Sequence, residues 1–241
     1  MPDTKSATND GDVQGRELAL KYIRWGGFAA ILGPLLVLSS NVYGLWVTRT
    51  YGDGPEAYVE TATTTASMLF GGARLLGGLL LVFGLIALYA YQLEAVGRLG
   101  LVGFVVSMIG TVLLTAVAWL GAFVDPALAS EVPDFYTAAR GGEVGGTVGA
   151  LLGIGVLVPV LIQAVGWTIF GIATYRARVF PRWAAVALVV GALLLFVPVQ
   201  GVPVVFQLAV ASLGFLLLSG RVDSPTGERD ASRSQSESVG S

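Results

Sequence analysis

Three side chains in one apolar stretch have the types and the spacing that a small binding site needs. Pro159, Gln163 and Trp167 follow one another at four-residue intervals, so on a helix they form one slowly drifting stripe. Proline has no N–H to donate to the carbonyl of Gly155, which leaves an acceptor free in apolar surroundings. Two interpretations follow. Either a kinked helix lines a small polar cavity, or the kink is packed, with Gln163 bonded to a neighbouring helix and Trp167 in the core.

Other polar side chains within apolar segments are few. Gln207, in the last apolar segment, is a second amide that the fold could place opposite Gln163. For Arg74 we expect the side chain to extend to the interface or to pair with a loop carboxylate, and the alternative is anion binding. For Asn41 we expect a solvated or capping amide near the outer interface. Hydroxyls bonded to their own helix backbone are expected at three further positions: Ser107, Thr111 and Thr115.

Small residues mark one helix face. Gly145, Gly149 and Gly153 recur at four-residue intervals at the start of the fourth apolar segment. Small side chains at this spacing allow two membrane helices to approach closely. We therefore expect this glycine ridge to be a helix-packing face.

Residue counts exclude several classes of chemistry. The chain has no cysteine and no histidine, and its only lysines are Lys5 and Lys21. A zinc site, an iron–sulfur cluster, histidine-ligated haem and a Schiff-base lysine within the membrane are therefore excluded. We expect no metal and no cofactor. The net charge of −2 gives no basic surface for nucleic acid.

The elements that must position these residues are long apolar segments. The chain is 54% hydrophobic and 12% charged, with a mean hydropathy of +0.75, whereas soluble proteins are about 25% charged. Runs of about 20 apolar residues are long enough to cross the hydrocarbon of a bilayer. We expect an all-α transmembrane bundle of about six helices, at residues 25–47, 69–91, 99–124, 148–175, 183–198 and 202–218.

The last two segments are short. As one helix, residues 183–218 would be about 54 Å long, too long for a single crossing. Pro198, Gly201 and Pro203 supply a break in this stretch. A tight hairpin of two crossing helices and a re-entrant pair are both compatible with the pattern, and both return the C-terminus to the same side.

The distribution of positive charge predicts the orientation. Most arginines and both lysines fall in segments that lie inside if the N-terminus is cytoplasmic, and only Arg49, Arg74 and Arg140 fall outside. We therefore expect a multi-pass protein of the cell membrane with both termini in the cytoplasm. Its expected parts are a disordered tail with a short juxtamembrane helix (1–24), the six-helix transmembrane domain (25–219) and a second disordered tail (220–241).

Three short stretches carry a resemblance to known sequences. They are Arg-Leu-Gly-Leu-Val-Gly-Phe at 98–104, Phe-Val-Asp-Pro-Ala-Leu at 123–128 and Phe-Pro-Arg-Trp-Ala-Ala at 180–185. With them the chain resembles, over residues 25–218, a loose group of uncharacterised prokaryotic multi-pass membrane proteins of about six helices. The resemblance implies the fold and the location, and it transfers no activity and no site residue.

Three functional hypotheses remain after these exclusions. The first is a non-enzymatic protein of interaction or assembly in the membrane, with lipids, a second copy or another membrane protein as partner. The second is a carrier or binding protein for a small apolar or lipid-like molecule, with a cavity near Pro159, Gln163 and Trp167. The third is an enzyme that uses outer carboxylates for acid–base chemistry. Those carboxylates would be Asp125, Glu131 or Asp134.

Overall fold

The computed structural model describes the backbone of residues 4–196 and 203–219, and the side chains of residues 21–196 and 203–219. Within these ranges the chain forms helices joined by short turns, and no strand occurs. The prediction of an all-α fold is therefore confirmed. The elements are α1 (Thr4–Tyr51), α2 (Pro55–Ala62), α3 (Thr65–Trp119), a π-helical turn (Leu120–Val124), α4 (Asp125–Glu131), α5 (Pro133–Arg140), α6 (Gly146–Ala177), α7 (Arg182–Leu194) and α8 (Pro203–Ser219).

Apolar helices of two lengths make up most of the fold. Three stretches are long and apolar enough to cross a membrane: Lys21–Tyr51, Thr65–Glu131 and Gly146–Ala177. The apolar helices α7 and α8 have only 13 and 17 residues. At 1.5 Å per residue they are about 20 and 25 Å long, shorter than the hydrocarbon core of a bilayer. This set of helices is compatible with a membrane location.

The structure describes most of the N-terminal segment that was expected to be a tail, but not the C-terminal one. The backbone is helical from Thr4, where a disordered tail is expected within residues 1–24. No proline interrupts residues 4–33, so the ladder of helical hydrogen bonds can continue from this stretch into the apolar segment. The tail at 220–241 lies outside the described residues, as do Pro198 and Gly201, which were expected to break the last two segments.

α3 folds back on itself at Gly97. This glycine has φ 56° and ψ −156°, a conformation that side chains disfavour. Tyr89 stacks on Phe104 with ring centroids 4.3 Å apart, and Gly78 lies against Thr115. In each pair the two partners are the same distance from Gly97 in sequence to within about one residue, so the two arms run antiparallel. The arms, α3a (65–96) and α3b (98–119), correspond to the second and third predicted segments.

Six apolar helical segments form a closed ring. Both arms of α3 lie side by side, α3b packs on α6, α6 on α7, α7 on α8, α8 on α1, and α1 on α3a. Glycines permit the closest approaches. A Cβ on Gly110 of α3b would lie 2.5 Å from the Cα of Gln163, and one on Gly33 of α1 would lie 2.8 Å from the carbonyl oxygen of Gly77. No side chain fits at these contacts, so the helix backbones touch directly.

The predicted glycine ridge makes no such contact. A Cβ on Gly145 or Gly153 would meet nothing within 4 Å, and one on Gly149 would meet only the carbonyl of Val144, just before α6 begins. Residues 150–158 of α6 are exposed on all sides. The ridge therefore packs against no other helix of the described chain, and its role as a packing face toward another molecule stays a prediction.

Three short helices, α2, α4 and α5, cover one end of the ring, the loop end. Arg140 of α5 links them, because its guanidinium donates to Asp125 and lies 5.4 Å from the ring centroid of Tyr58. Its Nε donates to the hydroxyl of Tyr136 at 3.2 Å. Burial alone would lower the pKa of Arg140, but the nearby charge of Asp125 opposes burial and the pKa is raised overall. Burial also raises the pKa of Tyr136.

Two glycines of similar sequence context should respond differently to substitution. Gly110→Leu forces a side chain against the α6 backbone, so we expect it to cost at least about 1–3 kcal/mol of stability. Gly153→Leu meets open space within the chain, so the same change should leave the melting temperature of the monomer nearly unchanged. Thermal unfolding in detergent compares the two variants. Equal destabilisation would contradict the packing described for α3b and α6.

Alkaline pH should loosen the loop end. The pKa of Tyr136 is raised in the folded protein, so above the ordinary tyrosine pKa of about 10 the unfolded chain ionises first and the fold loses stability. We expect the melting temperature to fall from about pH 9 to about pH 11, and to fall less in Tyr136→Phe. The exposed Tyr51 supplies the control variant, Tyr51→Phe, which should follow the wild type. A Tyr136→Phe variant with the wild-type pH profile would contradict this expectation.

Candidate functional site

A cavity of about 200 Å³ lies among the six segments of the ring. α1, both arms of α3, α6 and the facing ends of α7 and α8 contribute to its wall. Most of the lining is apolar, from valine, leucine, alanine, proline and phenylalanine side chains. Six polar side chains also line it: Asn41, Arg74, Thr111, Thr115, Gln163 and Gln207. Apolar walls with a few convergent polar groups are the usual form of a small-molecule site.

The shortness of α7 and α8 explains why this volume is not filled. Leu195, just after α7, and Pro203, the first residue of α8, both line the cavity. α6 continues from Gln163 back to Gly146, about 25 Å further toward the loop end. Because the described parts of α7 and α8 end beside Gln163 while the other helices continue, the described side chains leave the centre of the ring unfilled at this level.

Gln163 is held at the cavity wall by a hydrogen-bonded group on the facing helix. The hydroxyl Oγ1 of Thr111 lies 2.9 Å from the side-chain amide of Gln163 and 2.7 Å from the carbonyl oxygen of Ser107. The indole Nε1 of Trp167 donates to the same Oγ1 at 3.3 Å. Gln163 and Thr111 are 3% and 2% exposed. The α3b–α6 contact therefore carries a buried polar cluster, consisting of Thr111, Gln163 and Trp167, directly beside the cavity.

The amide oxygen of Gln163 faces Thr111. The Thr111 hydroxyl has one hydrogen, which lies between two acceptors, the carbonyl of Ser107 and the Oε1 of Gln163. The same hydroxyl accepts from the indole of Trp167. The amide nitrogen of Gln163 is therefore left as a donor at the cavity.

Arg74 is the only charged side chain among the described residues of the cavity wall, and it is also exposed at the surface of the ring. It lies nine residues after Thr65 on α3a, about 14 Å along the helix from the loop end. Within the described ranges the only ion pair joins Arg140 to Asp125, so Arg74 has no carboxylate partner there. The segment 197–202, whose structure is not described, contains no acidic residue. Asn41 of α1 lines the cavity at a similar depth, about 15 Å from Tyr51.

Gln207 presents a buried amide to the cavity without a partner. Its side chain is 7% exposed, and its Oε1 makes no hydrogen bond. A buried polar atom that is left unbonded costs about 1–3 kcal/mol. A hydrogen-bonding group inside the cavity, from a ligand or from water, would remove that cost. Gln92 is also buried with both amide atoms unbonded, but it does not line the cavity.

The residues proposed from the sequence fall into two groups. Gln163 and Gln207 line one cavity, although they come from α6 and α8. Pro159 is buried beside it but does not line it, and Trp167 is 0% exposed, packed edge-on against Phe206 with ring centroids 5.2 Å apart. Trp167 therefore supports the wall from the core side. Its contribution is the indole hydrogen bond and the aromatic packing.

Sequence reasoning gave Arg74 a binding role only as the alternative, and it placed Asn41, Thr111 and Thr115 in no site. Thr111 and Thr115 do bond their own helix backbone as expected, at 2.7 Å each. The same expectation for Ser107 is wrong, because its buried Oγ makes no hydrogen bond to the described residues. The available signal for Arg74 was its depth, since nine residues of apolar helix separate it from the nearest helix end. A single sequence carries no signal that the hydroxyl of Thr111 faces a buried amide on another helix.

The outer carboxylates do not assemble into a site. Asp125 is occupied by Arg140. Among the described residues, no group of three or more aspartate or glutamate side chains is close enough to hold a metal ion. Glu131 and Asp134 therefore gain no partner that would support acid–base chemistry.

Comparison with known proteins adds no constraint on this site. No family model, no curated protein and no solved structure matches the chain.

The buried polar cluster should contribute measurably to stability. Thr111→Val removes the hydroxyl and leaves both the Gln163 amide and the Trp167 indole without a partner, so we expect a loss of about 1–2 kcal/mol. Thr174→Val is the matched control, because the buried Thr174 hydroxyl bonds only the Phe170 carbonyl of its own helix. Chemical unfolding in mixed micelles measures both variants. Equal losses would contradict the role given to Thr111.

Proposed function

We propose that the protein is a membrane carrier or binding protein for a small lipid-like molecule, which it holds in the cavity beside Gln163 and Gln207. The observation that supports this most directly is the cavity itself, with apolar walls and amides from two helices at one place. A protein whose only role was assembly would gain nothing from an unfilled centre, since unfilled apolar volume reduces stability.

The size of the cavity limits what it can enclose. Drug-sized ligands occupy pockets of about 300–1,000 Å³, and this cavity has about 200 Å³. A polar head with a short apolar part fits this volume, and a whole two-chain lipid does not. A longer tail would have to leave between helices into the surrounding hydrocarbon.

The proposed setting is the cell membrane, with six helical segments in the membrane and both termini in the cytoplasm. Positive residues support this orientation. The end of the ring opposite the loop end carries six described arginines and lysines, whereas the loop end carries Arg49 and Arg140 among several carboxylates. Those six residues are Lys21, Arg24, Arg98, Arg176, Arg178 and Arg182. On this orientation the cavity lies in the outer half of the membrane.

A second function, assembly with another membrane protein or a second copy, is favoured by one separate observation. Residues 150–158 of α6 are exposed, and a Cβ on Gly153 within this stretch would meet no atom within 4 Å. Lipid covers such a surface equally well, because the exposed side chains are aliphatic. The cavity, which lipid tails alone would not satisfy at its amides, supports binding more strongly.

Native mass spectrometry of the gently solubilised protein tests the binding function. We expect a reproducible bound mass that disappears in the double variant Gln163→Leu, Gln207→Leu, because both cavity amides are then lost. Gln92→Leu is the matched control, since it removes a buried amide that does not line the cavity, and it should retain the bound mass.

Two results would oppose the binding function. The first is a protein that carries no specific mass under any solubilisation condition. The second is a bound mass that is retained equally by the double variant and by Gln92→Leu. Either result, together with a clean oligomer that Gly153→Leu dissociates, would favour assembly.

A further inference from the structure

We propose that Arg74 selects the head group of the bound molecule, so that the cavity takes an amphiphile with a single negative charge, such as a carboxylate on an apolar chain. This inference rests on the proposed binding function and specifies its ligand. It depends on the juxtaposition of one arginine without a carboxylate partner and one buried amide without a hydrogen bond in the wall of the same cavity.

The first step of the argument is the cost of the charge. An arginine side chain at membrane depth is expensive unless it pairs or reaches water, and such residues mark binding or transport sites. Arg74 lies about 14 Å along α3a from the loop end, and no described carboxylate reaches it. The sequence predicts that the Arg74 side chain extends to the membrane interface, but the side chain also lines the cavity. An anion in the cavity would pair the charge where it lies.

The second step of the argument concerns the sign and the number of charges on the ligand. Among the described residues, none of those that line the cavity is an aspartate, a glutamate or a lysine. A cationic ligand would therefore meet repulsion from Arg74 and no compensating carboxylate. A dianion would find only one positive charge to balance its two negative charges. A monoanion matches the wall, and the planar guanidinium can bond both oxygens of a carboxylate at once.

The third step is the remaining polar lining. Asn41 lies near the depth of Arg74, and its amide can donate to an anionic oxygen. The side-chain amide of Gln207 is free to turn and offer its nitrogen or its oxygen. Leu81, Leu114 and Phe206 supply apolar surface for the first carbons of a chain. The charge, the amides and the apolar walls together fit an amphiphile and not a free inorganic anion.

Calorimetric titration of the purified full chain in a non-ionic detergent tests the inference. The probes are octanoate, octanol, acetate and inorganic phosphate. We expect octanoate to bind the wild type, with octanol weaker by about tenfold to a hundredfold, as for the loss of one hydrogen bond to a charged group. Acetate and phosphate, which lack the chain, should bind at least as weakly as octanol.

Variants of Arg74 separate selection from folding. Arg74→Gln should weaken octanoate by a similar factor while leaving octanol unchanged, and the retained octanol binding shows that the cavity is intact. Arg74→Lys, which keeps the charge but loses the two-pronged geometry, should fall between them. The control is Arg49→Gln, at an exposed arginine outside the cavity, which should bind octanoate like the wild type.

The possible failures are distinguishable. If octanol binds as tightly as octanoate and Arg74→Gln changes neither, the selection by Arg74 is wrong while the binding function stands. If acetate or phosphate binds as tightly as octanoate, the site takes a free anion and the amphiphile is wrong. If neither octanoate nor octanol binds to any form of the protein, the binding function and the inference fail together.

The melting temperature of the empty protein is a further test. Replacing Arg74 should change it in one direction if the arginine is structural and in the other if the arginine is kept for a ligand. An arginine that holds the fold together would lower the melting temperature when replaced. An arginine kept unpaired for a ligand costs stability in the empty protein, so Arg74→Gln should unfold at the same temperature or higher without ligand. Octanoate should then raise the melting temperature of the wild type and not that of the variant. A marked drop for the empty variant would overturn the inference.

Discussion

The backbone contact between α3b and α6 is the constraint on which the rest of the structure depends. Because Gly110 presents no side chain, Gln163 approaches close enough for its amide to reach Thr111 on the facing helix. The same approach lets Trp167 bond Thr111 from the core side. In an apolar interior these groups have no other partner, so the contact fixes both helices in register. It also decides which face of Gln163 is left for the cavity.

The cavity follows from a mismatch of lengths inside the ring. The described parts of α7 and α8 are long enough to pack against α6 and α1 but end before those helices do, so at one level the described residues place no side chain in the centre of the ring. A soluble protein would collapse such a gap to recover packing energy. Here the backbone contacts at Gly33 and Gly110 leave the long helices little freedom to move inward. Rigid walls therefore keep the volume open.

Part of this arrangement could be predicted from the sequence, and there is a physical reason why the rest could not. Helix type and the apolar segments follow from composition and length, and the turn between the second and third segments falls at Gly97, within the predicted gap. The residues Gln163 and Gln207 were singled out because amides are rare in apolar helices. Which glycines pack could not be predicted, because Gly153 belongs to a four-residue glycine repeat and faces open space, whereas Gly110 belongs to no such repeat and touches the α6 backbone.

Arg74 shows that the energetic role of a charged residue depends on what surrounds it in the folded protein. Position alone made it an interfacial arginine, because a long side chain near a helix end reaches water at little cost. In the ring the same exposed side chain borders a partly open cavity, and no described residue of the cavity wall carries a negative charge. Paired with a loop carboxylate, as Arg140 is with Asp125, it would have been satisfied and inert. Left unpaired beside an unbonded amide, it makes the empty state the less favourable one, which is the thermodynamic condition for a ligand to bind.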